Sequence, residues 1–350
     1  MTLTGVQKEK YDKLDFLLTA IERDVMKDYR FGRDKTLELL KDTYAKHLVG
    51  VPKADYYKTL ALYDRLKKTE QGIKGIYTVV GKESAKKIIN GQYQLFDESF
   101  LMDRYIMAYF SDEIGVNVKY APPNPLVRDV AVTGDATRLA TIRDQRLRAI
   151  ASGMMPPSGD TLQALLTKNA TDGLDKVLRT VRQGLINGES YAKQVTRVKD
   201  VFNKNVSNTA RVIRTEGNRN MNAGAYLNTE ELREEGVRIR RQWVATLDGS
   251  TRDSHQHLDG QFEDENGLFW IGGMSARYPG DFSDPANSIN CRCSTIDVVE
   301  GVDPQLRRYS YTEKVVEIDK DGKEVEKTVK RSDIISFKNY EQWKKEEGNI

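Results

Sequence analysis

Cysteine and histidine are almost missing from this chain. Its 350 residues hold two cysteines and three histidines. Cys291 and Cys293 stand only two apart, so no disulfide framework is available, which fits synthesis in a reducing cytosol. No apolar run approaches the length needed to span a bilayer, so no membrane segment is expected. The start, Met1-Thr2-Leu3-Thr4-Gly5, lacks a basic stretch followed by an apolar one, and no leader is expected. There is no Gly-Lys-Ser/Thr element after a strand, which excludes a phosphate-loop ATPase. An excess of one charge sign is also missing, since the net charge is +3 with 31% charged and 39% hydrophobic residues.

Helical patterning fills the front of the chain. Leu14, Leu17, Leu18, Ile21 and Val25 recur at helical spacing, and Gly32 is expected to end that run. Leu37, Leu40, Tyr44 and Leu48 form a second face, and Tyr56, Leu60, Tyr63 and Leu66 a third. Gly72, Gly75, Gly81 and Gly91 interrupt the next stretch, leaving short helices at 82–89 and 96–110. Ala121-Pro122-Pro123-Asn124-Pro125 reads as a stiff turn, 138–151 as a basic helix, and 153–159 as a second boundary. Leucine and valine faces continue from Leu162 to Phe202, and Ser207 or Asn208 is placed to cap a further helix. Strands are expected at 237–246, 269–271 and 294–299, the second pairing with the first. Asp321-Gly322 joins two alternating segments as a hairpin, with a last helix or amphipathic piece from Ser332 or Asp333. The fold class is therefore a mainly α N-terminal helical region followed by a smaller α+β domain with a C-terminal hairpin. The blocks are 1–120, 121–159, 160–300 and 301–350.

Four of the five histidines and cysteines fall between Trp243 and Cys293. His255-x-His257 and Cys291-x-Cys293 are the candidate zinc ligands, because imidazole and thiolate together suit that ion. On extended backbone each pair would point one way and the two pairs could meet. A metal-free loop is the other reading. Asp248-Gly249 and Asp259-Gly260 are turn signals, and Thr251, Arg252 and Asp253 can cap a short helix between them. The expectation is a compact polar knot stapled to the thiols.

The segment resembles the C-terminal domain of phage minor head proteins, the family named after the F protein of phage Mu. The matching pieces are Arg211-Val212-Ile213-Arg214-Thr215-Glu216 with Asn220, Asn222, Ala223 and Ala225. Trp243, Thr246, Asp248, Thr251-Arg252, Ser254-His255, Leu258-Asp259-Gly260 and Asn290-Cys291-Arg292-Cys293 come after them in order. The likeness covers about 160–300. Family members carry cysteines where this chain has Arg252 and His255, and a histidine where it has Ser288, so the ligand set is incomplete here and His257 is the spare donor. The resemblance implies a virion protein in few copies, near the portal or inside the capsid. It also implies a part in head assembly and in DNA packaging or ejection, with portal, major capsid or scaffold protein and double-stranded DNA as partners. It implies no catalytic activity.

Charge is uneven within that segment. Lys168 to Arg219 holds eleven positive and five negative side chains, a net of +6. Such a face suits phosphate binding without sequence preference; Arg179, Arg182, Lys193, Arg197, Lys199 and Arg211 are the candidates. Arg214 or Glu216 is expected to reach the loop at 248–255, making Arg214, Glu216, Trp243, Asp248, Arg252, His255 and Asp259 the knot's core. Two other functions remain open: a metal-dependent hydrolase or nucleotide-modifying toxin domain using His255, Asp248 and Glu216, and a zinc-stabilised module without chemistry.

Overall fold

The computed structural model describes residues 3–62, 64–109, 115–299, 306–318 and 324–336. Its order is α1 (Leu3–His47), α2 (Tyr56–Leu62), α3 (Arg65–Tyr109), α4 (Pro125–Thr133), α5 (Gln145–Gly153), α6 (Leu162–Ile186) and α7 (Tyr191–Glu234). Then come β1 (Ile239–Val244), α8 (Asp253–Leu258), β2 (Phe269–Ile271), β3 (Met274–Ala276), α9 (Pro285–Ser288), β4 (Ser294–Val299), β5 (Leu306–Ile318) and β6 (Glu324–Ser336). The fold is the expected one, long helices first and a small strand-bearing region behind, closed by a hairpin. No described helix is long and apolar enough to cross a membrane.

Two compact units make up the chain, one from 18–92 and 160–214, the other from 1–17, 93–159 and 215–350. They are not consecutive blocks like those read from the sequence, because α1, α3 and α7 each contribute residues to both.

In the first unit, the glycines expected to break helices lie inside them. A Cβ on Gly32 would stand 2.8 Å from Val80, one on Gly72 2.7 Å from Leu39, and one on Gly91 2.4 Å from Ile21. Each glycine therefore lets a neighbouring helix approach closely, and that packing outweighs about 1 kcal/mol of lost helix propensity. The ring of Tyr77 packs on Phe202 at 5.1 Å between centroids. Asn205 and Thr209 donate to the hydroxyls of Tyr77 and Tyr29 at 3.1 and 3.0 Å, so these buried polar groups are paired. Ser207 caps nothing: its hydroxyl returns to the Asn203 carbonyl inside the unbroken α7. Tyr63, expected on the third apolar face, lies outside the described residues.

In the second unit, Asn124 caps α4 by accepting from the amides of Leu126 and Val127, with Pro125 at the first helical position. Val127, Val130 and Ala131 of α4, with Ile150 and Met154 of the α5 end, pack on Phe96, Phe100, Ala223 and Leu227. Gly224 is required there, since a Cβ would come within 2.4 Å of the Phe96 carbonyl oxygen. The expected basic helix over 138–151 is instead a 3-10 turn at Ala136–Thr141 followed by α5. β1 pairs antiparallel with β4, Arg241 opposite Asp297 and Trp243 opposite Thr295. β2 pairs with β3 rather than with β1, because the Gly272-Gly273 turn, both residues at positive φ, folds it back locally. β5 and β6 form a hairpin in which 332–336 are strand, not the start of a helix. The expected Asp321-Gly322 turn and the segment from 337 onward lie outside the described residues.

Candidate functional site

Trp243 is the floor of the site. It lies in β1, fully buried, with Phe269 at 5.2 Å and Phe282 at 5.9 Å between ring centroids. His255 meets the same indole edge-on at 5.9 Å and 86°. Its Nδ1 lies 3.2 Å from the Cys293 sulfur and 3.6 Å from that of Cys291. All three side chains are buried and both thiols are free. The structure thus brings His255, Cys291 and Cys293 together on an aromatic base.

His257 does not join them. The two histidines lie on α8, not on extended backbone, and a two-residue step on a helix turns the side chain by about 200°. His257 is exposed, and its Nδ1 donates to the Asp253 carbonyl at 2.6 Å. The expectation that both rings point one way is corrected on this ground.

The loops around the cluster are tied by side-chain hydrogen bonds. Asp248 accepts from the Ser250 amide at 2.9 Å, and Thr251 donates to the Thr246 carbonyl at 2.5 Å. Asp259 accepts from the Ala245 amide at 2.8 Å. Trp243 and the 260–261 turn exchange backbone bonds of 2.8 and 2.9 Å. Arg292 grips the Asp248 carboxylate with both terminal guanidinium nitrogens, one at 2.8 Å. Arg252 donates to the Ile289 carbonyl. Asn290, at φ 56°, makes the left-handed step that enters Cys-x-Cys.

Electrostatics separate the two thiols. A hydrogen bond from Cys293 pulls the Cys291 thiol below the ordinary range, while burial pushes Cys293 well above it.

Arg214 and Glu216 are elsewhere. Arg214 holds Glu22 through two bonds of 2.6 and 2.8 Å. Glu216 pairs with Arg219 at 2.9 Å. Neither reaches the 248–255 loop, because the helix aims each at a partner on its own side.

The roles of several supporting residues, Asn222 of the matched motif among them, escape sequence reasoning. Asn218 and Asn222, one turn apart on α7, both donate to the Cys293 carbonyl, at 3.3 and 3.1 Å. Their four-residue spacing is the available signal. Buried Arg241 binds Glu263 and the carbonyls of Arg277 and Gly267, and Arg233 reaches the same glutamate. A charged side chain within an alternating strand gives no sign of facing inward.

The basic residues of 168–219 are only partly unpaired. Arg182 holds Glu70, and both Arg197 and Lys193 turn to Glu189. Arg179 folds onto the Asp175 carbonyl and Arg211 onto Asn208. Lys168, Lys176, Lys199 and Lys204 are exposed.

Comparison with known proteins finds a family match on the same segment. Residues 175–296 match the family described as phage Mu protein F like protein. The minor head protein GP7 of Bacillus phage SPP1 is 25% identical over 308 residues, covering 86% of this chain and 90% of that protein. Together these matches support a place in the phage minor head family. The NAD(+)–arginine ADP-ribosyltransferase EFV of Enterococcus faecalis is 32% identical over 188 residues. That match covers 54% of this chain, which spans about a third (35%) of the enterococcal protein. A Haemophilus influenzae protein is 31% identical over 128 residues, covering 36% of this chain and 25% of its own length. No solved structure matches.

Proposed function

We propose that the chain is a minor structural protein of a tailed-phage head, placed at the portal vertex or inside the capsid, where it serves assembly and genome packaging or ejection without chemistry. One observation carries this reading: the likeness to the SPP1 minor head protein runs through nearly the whole of both chains, helical front included. Its partners are the portal, the major capsid or scaffold protein, and double-stranded DNA. Purified virions of the encoding phage, analysed by mass spectrometry, are expected to contain the chain in few copies per particle. Its absence from virions and from assembling heads would overturn the proposal.

For DNA, the ion pairs shift the candidate face. Arg182, Lys193 and Arg197 are engaged with Glu70 and Glu189, so Arg179, Lys199, Lys204 and Arg211 carry more of the exposed positive field. Changing these four to Gln should weaken binding to duplex DNA and flatten its salt dependence by about 0.9 log unit for each phosphate no longer neutralised. Mobility shifts at rising salt that match the unchanged protein would remove DNA from the set of partners.

A catalytic reading rests on the enterococcal relative's name. Against it, His255 is buried among the thiols, Asp248 is held by Arg292, and Glu216 by Arg219. A small cleft nearby, lined by Lys10, Asn218, Asn222, Thr246 and Arg292, contains none of the three. Incubation with labelled NAD+ and an arginine-rich acceptor is expected to give no transfer; transfer abolished by His255→Ala would favour the enzyme.

A further inference from the structure

We propose that His255, Cys291 and Cys293 are a three-donor zinc site that staples α8 to the Cys-x-Cys loop, with one water oxygen in the fourth place. The donor atoms all lie within 4.8 Å of one another. Zinc takes thiolate at about 2.3 Å and imidazole at about 2.0–2.1 Å, so a tetrahedral nitrogen–sulfur edge measures about 3.6 Å. The two edges here are 3.6 and 3.2 Å. The donors already stand close to the required spacing.

The surroundings suit that ion better than a bare thiol pair. Imidazole and thiolates select zinc over the hard divalent cations. Two thiolates and a neutral imidazole leave a zinc centre without net charge, which an aromatic pocket of Trp243, Phe269 and Phe282 can hold. The ligands are oriented from outside. Asn218 and Asn222 fix the Cys293 carbonyl, Thr246 donates to the Arg292 carbonyl at 2.7 Å, and Arg252 holds Ile289. Such outer bonds are what keeps a metal ligand in place. Meanwhile the His255 Nε2 is buried with no partner among the described residues, and Nδ1 faces only sulfur. A cation between Nδ1 and the two sulfurs would replace these weak imidazole–thiol hydrogen bonds with ligand bonds.

On binding, each thiol releases its proton to solvent and the two sulfur–zinc bonds form, with no redox change. The site then adds folding stability outright. Because the ligands lie on α8 and just before β4, 36 and 38 residues apart, the ion closes the whole lobe that carries β2, β3 and α9.

The test uses the full chain and metal alone. Protein purified with zinc should carry about one zinc per chain by elemental analysis. Replacement by cobalt should give thiolate-to-cobalt absorption in the near ultraviolet and the intense visible bands of four-coordination. H255A, C291S and C293S should lose those bands, and H257A should keep them. Should the three variants fail to fold, the unchanged protein still decides: a chelator should lower its Tm by at least about 5 °C, and added zinc should restore it. A folded, metal-free protein with no cobalt bands and no response to chelator would overturn the site. So would loss of the bands in H257A.

Discussion

Arg292 stands between the two cysteines, yet its guanidinium leaves the core and closes on the carboxylate of Asp248, 44 residues earlier in the chain. The thiols face inward and the residue between them faces outward, as alternation on extended backbone requires. The same contact ties the Asp-Gly turn to the strand entering β4. Both partners are partly exposed, so the pair should contribute on the order of 1 kcal/mol. Arg292→Ala and Asp248→Ala are expected to lower stability by similar amounts, and the double variant to lower it by much less than the sum. A thermal-melt cycle showing simple additivity would mean the two groups act independently.

Trp243 packs on three rings and carries a cost of its own. Its indole Nε1 is buried with no acceptor among the described residues. Trp243→Ala should destabilise by about 3–5 kcal/mol through the cavity it leaves. Trp243→Phe should stay within about 1.5 kcal/mol, because the reduced packing area is offset by removing an unsatisfied donor. Denaturant midpoints for the two variants test this; a Phe variant as unstable as the Ala variant would show that the indole ring itself is required.

Much of the fold was legible because burial follows period. Leu40, Tyr44 and Leu48 share one face by spacing, and all three are buried. The glycines of α1 and α3 mislead because a sequence shows a glycine's freedom but not its neighbour; Gly91 is small because Ile21 lies across from it. His-x-His is ambiguous for a related reason. A two-residue step aligns side chains on a strand and opposes them on a helix, and α8 is only six residues long. The polar turns at Asp248 and Asp259 declare themselves through local bonding. The partners of Arg214 and Glu216 do not, since Glu22 is 192 residues away in the chain and nothing in a basic helix marks Arg219 as buried.

The glycine argument makes opposite predictions at two positions of one helix. Gly75 has nothing within 4 Å of where a Cβ would go. Gly75→Ala should therefore stabilise by up to about 1 kcal/mol, the helix-propensity difference. Gly91→Ala places a methyl group 2.4 Å from the Ile21 side chain and should destabilise by about 1–3 kcal/mol. Adding Ile21→Val to Gly91→Ala should recover part of that stability. Thermal melts that rank the two alanine variants in the reverse order would contradict close packing of α1 and α3 at that point.

Asp297 supplies a pH dependence whose sign is unusual for an aspartate. It lies in β4, accepting from the Thr229 hydroxyl at 2.8 Å. Burial, reinforced by the charge of Asp103, pushes its carboxyl up to about 7, against the pull of the Thr229 bond, Arg241 and Arg233. Lys10, itself paired with Asp103, also faces it. The folded chain thus keeps a proton that the unfolded chain releases near 4. Between those limits the native state binds more protons, so this group's contribution falls as pH rises through about 7 and is full below about 4. Asp297→Asn carries no such proton. Its Tm relative to the unchanged protein should rise between about pH 5 and about pH 8; a difference that stays flat or declines over that interval would show that Asp297 is ionised throughout.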